Sequence, residues 1–215
     1  MNSGFQISLN VRGRTCLVIG GDEEAVEKID RLLDAEAKVT VLNPTLHPAL
    51  RKLTASAKIV HRGRTFRTTD VQSGVALVLN TIREDLDLAK LLFDLAKTEG
   101  FLVWSIDQPE LSTVMMPAIV RRGPLRVAIS TSGASPALAK ALRQDLEMMF
   151  DDEFVECLQW LGSVREELRK EELSENKRRE RLQQILEGFR LEGKIELPKS
   201  WTEKSKASKN DGTVK

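Results

Sequence analysis

Residues 15–25 read TCLVIGGDEEA, and this stretch decides the fold class. The apolar run that ends at Gly20 is typical of a strand buried on both faces of a sheet. Gly21 and the acids after it predict a tight turn into a helix, on which Ala25 and Ile29 recur at helical spacing. A strand, a glycine turn and a helix in this order predict the first unit of an α/β fold.

The alternation of strands and helices continues over the first hundred residues. Helical patterns lie between strand-like runs at residues 38–42, 58–61, 75–79 and 101–106. Such alternation predicts parallel strands joined by right-handed crossovers, and therefore a Rossmann-like doubly wound parallel sheet. An apolar residue at every second position from Phe5 to Val11 predicts one more strand before this unit.

The alternation ends after residue 107. Strand-like runs at residues 115–120 and 125–130 are joined by RRGP, which predicts a strand pair, and Ser135-Pro136 predicts a helix start with serine as N-cap. Charged helical patterns follow residue 150. We therefore expect four parts. They are a Rossmann-like domain at residues 1–113, a small α+β segment at 114–150, a helical domain at 151–203 and a disordered tail at 204–215.

Composition and charge narrow the classes of function. A formal net charge of +1 on 215 residues creates no field that would attract nucleic acid or an acidic membrane. No segment has the length and apolar character of a membrane span, so we expect a cytoplasmic protein. Cys16 and Cys157 are expected to be reduced, buried thiols. His47 and His61 lie far apart and no cysteines are paired, so the sequence predicts no metal site.

The turn after the first strand departs from the dinucleotide-binding fingerprint, which requires glycine, any residue, glycine, two further residues and then glycine or alanine. In this sequence the predicted cofactor-binding turn is Gly20, Gly21 and Asp22, so Asp22 stands where the fingerprint has its middle glycine. A carboxylate about 5 Å from a phosphate charge is unfavourable by roughly 3 kcal/mol at an effective dielectric near 20. Alternatively, Asp22 caps an ordinary helix whose first turn is acidic.

Three longer stretches resemble the precorrin-2 dehydrogenase family, the N-terminal part of siroheme synthases and its single-function bacterial relatives. They are LLDAEAKVTVLNP, SIDQPELS and MPAIVRRGPLRVAISTSGASPALAKALR, at residues 32–44, 105–112 and 116–143. The resemblance implies a homodimer that oxidises precorrin-2 to sirohydrochlorin with NAD. In such proteins the segment at residues 114–150 forms the dimer interface and the helical domain closes the tetrapyrrole site. Some members also insert ferrous iron into sirohydrochlorin.

The resemblance also implies roles for single residues. Asp107 matches the catalytic aspartate, and its place after the fifth strand is where a proton acceptor belongs. Alternatively, its carboxylate caps the turn that follows. Ser135 matches a serine near the active site. The positions that match NAD contacts are Glu23, Glu24, Pro44, Thr45 and Thr81.

The implied substrate carries several carboxylates, so we expect basic side chains in the site. Basic residues cluster in and after the strand pair, namely Arg121, Arg122, Arg126, Lys140 and Arg143. We predict that Arg121 and Arg143, together with Ser135, bind the substrate. Alternatively, each of these charges is a plain surface charge.

Several positions depart from the family pattern. Ile82 replaces an aspartate after the fourth strand, and Asp87 and Trp104 each replace an asparagine. We expect these positions, like Asp22, to lie on the cofactor side of the sheet. Two hypotheses follow, an NAD-dependent enzyme or a family member that binds a tetrapyrrole without NAD-dependent turnover.

Overall fold

The computed structural model describes residues 4–72, 74–171 and 174–198. The protein divides into two compact units, Met1–Asp151 and Asp152–Lys215. The first unit contains the sheets and four α-helices, and the second contains two α-helices, all counted within the described residues. The tail expected at residues 204–215 lies outside the described residues.

A parallel sheet forms the centre of the first unit. Its strands are β1 (Thr15–Ile19), β2 (Lys38–Leu42), β3 (Val60–Arg62), β4 (Leu77–Asn80) and β5 (Leu102–Ser105). They pair in the order β3-β2-β1-β4-β5, and every pair is parallel. The predicted doubly wound sheet is confirmed. Because the strand order reverses between β1 and β4, the turn after β1 lies at the topological switch point.

Helices cover both faces of this sheet. They are α1 (Glu23–Asp34), α2 (Pro48–Ala55) and α3 (Leu86–Glu99). Val18 of β1 packs with residues of α1 and α2 in one apolar cluster, whereas the neighbouring Leu17 packs with residues of α3 in another. Successive side chains of a strand point to opposite faces, so one apolar run fills both clusters.

The rest of the first unit is a hairpin and a helix. Strands β6 (Ala118–Arg122) and β7 (Leu125–Ile129) pair antiparallel, and Gly123 takes a φ of +51° in the turn between them. Helix α4 (Pro136–Met149) begins as predicted, because the Ser135 hydroxyl accepts a hydrogen bond from the Leu138 amide at 3.1 Å. The second unit contains α5 (Asp152–Lys170) and α6 (Glu175–Ile185). No helix in the described part of the chain is long and apolar enough to cross a membrane.

Two predictions from the sequence are wrong. Residues 4–11 form no strand, and Phe5 and Ile7 are 90% and 67% exposed, because this segment pairs with no strand of the sheet. Apolar residues at every second position do not by themselves form a strand, because the backbone also needs a neighbouring strand as hydrogen-bonding partner. Cys157 lies on α5 and is exposed, whereas Cys16 is buried in β1 as expected. Burial raises the pKa of the Cys16 thiol to about 11.

Candidate active site

A cavity of about 550 Å³ opens at the carboxyl ends of β1, β2 and β4. Its walls come from the turns that follow these three strands. We call this cavity the cradle, and it is lined by residues 20–23, 43, 45–47 and 81–84. Of the predicted cofactor contacts, it brings together Gly20, Gly21, Asp22, Glu23, Thr45 and Thr81.

The glycines of the cradle are required by its shape. Gly20 has a φ of +119°, and a Cβ there would lie 2.0 Å from the Thr81 hydroxyl oxygen. A Cβ on Gly21 would lie 2.3 Å from the Thr45 carbonyl oxygen. The Thr81 hydroxyl is itself fixed, since it donates to the Ile19 carbonyl at 3.1 Å. The three turns therefore contact each other with no room for a side chain at either glycine.

Asp22 caps α1. Its Oδ1 accepts a hydrogen bond from the Ala25 amide at 3.1 Å, which is the capping role that the sequence left open. Glu23 lines the cradle, but Glu24 lies outside its lining and forms an ion pair with Lys28 at 2.7 Å. Pro44 is exposed and also lies outside the lining.

Both histidines have local hydrogen-bonding partners near the cradle. His47 is the N-cap of α2, and its Nδ1 accepts from the Ala49 amide at 3.3 Å. His61 Nε2 lies 2.8 Å from the Asn43 carbonyl oxygen, so this nitrogen is the donor. Within the described residues, no group of three or more His, Cys, Asp or Glu side chains could hold a metal ion.

A second, larger concavity of about 850 Å³ lies beside β5. We call it the cleft, and its walls come from α1, the segment after β5, the β6–β7 hairpin and α4. It brings together five side chains that the sequence singled out, namely Trp104, Asp107, Arg121, Lys140 and Arg143. Ser135 caps α4 and lies outside the lining, although the next residue, Pro136, is part of it.

Two of the clustered arginines lie outside the cleft. Arg122 donates through Nε to the Glu147 carbonyl at 2.9 Å. Arg126 donates to the Gly123 carbonyl at 2.6 Å, within its own hairpin turn. Consecutive residues of a strand point to opposite faces, and here Arg121 lines the cleft whereas Arg122 does not.

Asp107 lies at the boundary between the cleft and the cradle. Its φ is +55°, a left-handed conformation that aspartate tolerates better than most residues. The carboxylate does not cap the short helix that follows, which has no side-chain cap, but forms an ion pair with Arg83. Arg83 lines the cradle and also contacts Glu24 at 3.4 Å. Sequence reasoning missed Arg83, because no motif marks it.

Most cations of the cleft already have an acidic partner. Arg121 pairs with Asp34, and Arg143 pairs with Glu147 at 2.6 Å. Lys140 is exposed and has no ion pair among the described residues. It is therefore the cation most available to a ligand carboxylate.

Trp104 and Asp87 do not lie where the sequence analysis expected them. The Trp104 ring lines the cleft, and the Lys28 ammonium lies 5.2 Å from the centroid of the ring. Neither Trp104 nor Asp87 belongs to the lining of the cradle. Trp104 packs against the cluster that contains α1, whereas Val103 before it packs with α3. Asp87 is an exposed first-turn residue of α3. Ile82, by contrast, lines the cradle as expected.

Two buried polar atoms at the end of the sheet have no hydrogen-bonding partner within the described structure. They are Asn80 Nδ2 and Ser105 Oγ. Their residues are neighbours in register at the carboxyl ends of β4 and β5. An unsatisfied buried polar group costs about 1–3 kcal/mol, so it commonly marks a position that water or a ligand completes.

Comparison with known families agrees with this geometry. Residues 7–118 match the family described as "Putative NAD(P)-binding", and residues 122–149 match "Sirohaem biosynthesis protein central". The strand order and the glycine turn define a Rossmann-like protein of the NAD(P)-binding class. The chain carries both of these segments, and it belongs to the precorrin-2 dehydrogenase family.

The relatives include siroheme synthases. The chain is 38% identical over 143 residues to the one from Thioalkalivibrio sulfidiphilus, covering 66% of this chain and 29% of that protein. It is 34% identical over 182 residues to the one from Nitrosococcus oceani, covering 85% and 38%. The chain thus spans well under half the length of these relatives. A solved structure of SirC, a precorrin-2 dehydrogenase, has the same fold, with a TM-score of 0.71, 24% identity and coverage of 86% of this chain and 90% of that one.

Proposed function

We propose that the protein oxidises precorrin-2 to sirohydrochlorin with NAD as the hydride acceptor. The observation that carries this proposal is the Arg83–Asp107 ion pair. It joins a residue of the cradle to a carboxylate of the cleft, so a cofactor in one cavity and a substrate in the other would meet at Asp107. The names of the relatives, siroheme synthase and precorrin-2 dehydrogenase, supply the substrate class.

The cradle fits a dinucleotide. It lies at the switch point of the sheet, where open α/β sheets bind nucleotides, and its glycines keep the wall free of side chains. Gly20, Gly21, Thr45 and Thr81 would hold the cofactor. When bound, NAD supplies an acceptor for one hydride. The unsatisfied amide of Asn80 beside the cradle also supports a site that a ligand completes.

Dehydrogenation of the substrate removes one hydride and one proton. Asp107 is the proposed proton acceptor, because its carboxylate lies in the cleft and its side chain is 65% exposed. A positioned general base typically contributes 10²–10⁴-fold, so this role is expected to be large. Arg121, Lys140 and Arg143 are the proposed partners of the substrate carboxylates.

The proposal extends to assembly and to a second reaction. We propose a homodimer formed through residues 114–150, with an NAD-binding domain at 1–113 and a helical domain at 151–203. Helix α4 supports the dimer, because it exposes large apolar side chains, including Leu138, Leu142, Met148 and Met149. Insertion of ferrous iron, a substrate in that reaction, would use Asp107 to accept pyrrole protons. We place these reactions in the cytoplasm.

A second candidate function is tetrapyrrole binding without NAD-dependent turnover. Asp22 favours it, because its carboxylate lines the cradle and already occupies the Ala25 amide. A bound pyrophosphate would then lose one helix-terminal donor and meet a negative charge.

Calorimetric titration of the purified chain with NAD, followed by an anaerobic assay with precorrin-2, separates the two candidates. We expect NAD to bind in the micromolar range and sirohydrochlorin to form only when NAD is present. Failure to bind NAD at millimolar concentration, with binding of the tetrapyrrole retained, would refute the dehydrogenase and support the second candidate.

A further inference from the structure

We propose that Arg83 binds the pyrophosphate of the dinucleotide, and that it leaves Asp107 to do so. The inference rests on the proposed function, since it names the residue through which the cradle accepts NAD. It also explains how a turn that carries Asp22 in place of a glycine can still bind an anionic cofactor.

The side chains that line the cradle are mostly neutral or acidic. Among the described residues that line it, Arg83 is the one permanent cation, whereas Asp22, Glu23 and Glu84 are acids. A pyrophosphate in such a cavity is repelled unless a cation faces it. Arg83 is therefore the residue on which binding of the anion depends.

The turn after β1 also has fewer free hydrogen-bond donors than an ordinary Rossmann turn. In a Rossmann turn, the free amides at the start of the first helix bind the pyrophosphate. Here Asp22 Oδ1 takes the Ala25 amide at 3.1 Å, so that donor is occupied. A guanidinium offers paired donors that match phosphate oxygens, and Arg83 can replace what the turn has lost.

The present partners of Arg83 are two carboxylates. It contacts Glu24 at 3.4 Å and pairs with Asp107, and the Arg83 and Asp107 side chains are 56% and 65% exposed. Exposed ion pairs contribute little to stability, whereas charge-assisted contacts with phosphate are strong. A pyrophosphate can therefore draw Arg83 away from the carboxylate.

This exchange has a consequence for the order of events. While Arg83 pairs with Asp107, the guanidinium occupies a carboxylate oxygen. When the arginine turns to the cofactor, that oxygen becomes free to accept a proton from the substrate. The base is thus released only when the hydride acceptor is in place.

The test uses ADP, which carries the pyrophosphate, and adenosine, which lacks it, in calorimetric titrations of the full chain. Arg83→Ala is expected to weaken ADP binding by about tenfold and to leave adenosine binding unchanged, and Arg83→Lys is expected to recover part of the loss. Arg51→Ala, an exposed arginine of α2 outside the cradle, is the matched control. Equal ADP binding by Arg83→Ala and wild type would overturn the inference alone.

Two further variants test whether Arg83 offsets the charge of Asp22 and whether Arg83 exchanges Asp107 for the pyrophosphate. Asp22→Asn keeps a helix cap and removes the charge, so ADP binding should tighten by about tenfold or more. Asp107→Asn should tighten ADP binding by about two- to threefold, because Arg83 no longer has to leave a carboxylate. Weaker binding by Asp107→Asn would overturn the exchange. A wild-type chain that binds neither ADP nor NAD would overturn both this inference and the NAD-dependent function.

Discussion

The cradle and the cleft lie at the same end of one sheet but are built in different ways. The cradle is formed by three short turns whose backbones approach so closely that a methyl group on Gly20 or Gly21 would collide with a neighbour. The cleft is formed by side chains from distant segments, and most of its cations form ion pairs with acidic side chains. Close backbone contacts therefore form the walls of the first cavity and charged side chains line the second, so substitutions of a glycine in one and of a charge in the other should fail in different measurements.

The largest effect is expected at the residue shared by both cavities. Asp107→Asn should lower kcat by about 10²–10⁴-fold, because an amide cannot accept the proton, while NAD affinity changes by no more than about threefold. Asparagine is chosen because it tolerates the left-handed backbone at this position, where φ is +55°. Single-turnover assays and calorimetry measure the two quantities separately.

Glu110→Gln is the control for Asp107, because Glu110 is an exposed acid three residues away that lies outside the cleft lining. It should leave kcat within about twofold of wild type, as expected for a surface substitution. Full activity in Asp107→Asn would remove this carboxylate from the mechanism.

The next variant tests whether close contacts between the turns form the cradle. Gly21→Ala would place Cβ 2.3 Å from the Thr45 carbonyl oxygen, so the turns must separate. We expect a loss of roughly 1–3 kcal/mol in the free energy of unfolding and at least tenfold weaker NAD binding. Gly63→Ala is the matched control, because the nearest atom to its Cβ would be His61 Cε1 at an ordinary 3.6 Å. Denaturant titration should show little change for Gly63→Ala, and equal losses in both variants would contradict the steric argument.

A further charge cluster lies outside both cavities, and unlike the pairs of the cleft it contains a buried carboxylate. The side chain of Asp70 is 1% exposed and pairs with Arg64 at 2.6 Å and Arg62 at 2.8 Å. The hydrogen bond from Arg64 is the main cause that lowers the pKa of Asp70 from 3.8 to about 2. This charge is expected to stabilise the fold rather than to bind a ligand.

Asp70→Asn should therefore reduce the free energy of unfolding by about 2 kcal/mol at pH 7. Since the folded pKa is below the unfolded value, the stabilisation is complete above about pH 5 and is lost as the pH falls through about 2. Asp94→Asn breaks an exposed pair with Lys97 and should cost less than about 0.5 kcal/mol. If both variants lost the same stability, burial would not distinguish the two pairs, and if the loss did not shrink at low pH, the charge of Asp70 would not be its cause.

The sequence predicted the elements that depend on local pattern. Periodicity indicated the strands of the sheet and the helices of the first unit, and Ser135-Pro136 marked the start of α4. The same periodicity at Phe5 was misleading, because alternation does not show whether a neighbouring strand exists. The sequence analysis expected Trp104 on the cofactor side of the sheet, but its ring lines the cleft and not the cradle, because a motif does not show which face of the strand a residue takes.

The Arg83–Asp107 pair could not be read from the sequence for a different reason. The two residues are 24 positions apart, and they meet because β4 and β5 are neighbours in the sheet. A single arginine after a strand carries no spacing signal. Such contacts between the ends of adjacent strands depend on the order of strands in the sheet. The sequence pattern predicted a doubly wound parallel sheet but not which strands are neighbours.

The smallest effect concerns the one cleft cation that has no ion pair among the described residues. Lys140→Gln should raise KM for the tetrapyrrole by about threefold to fivefold and leave kcat unchanged, because a carboxylate contact far from the reacting atoms stabilises ground state and transition state equally. Arg126→Gln, outside the cleft and bonded within its own turn, is the control and should leave KM unchanged. Arg143→Gln should raise KM less than Lys140→Gln does, since Arg143 must first leave Glu147, to which it is bonded at 2.6 Å. A larger effect at Arg143 than at Lys140 would mean that the paired cations, and not the free one, bind the substrate.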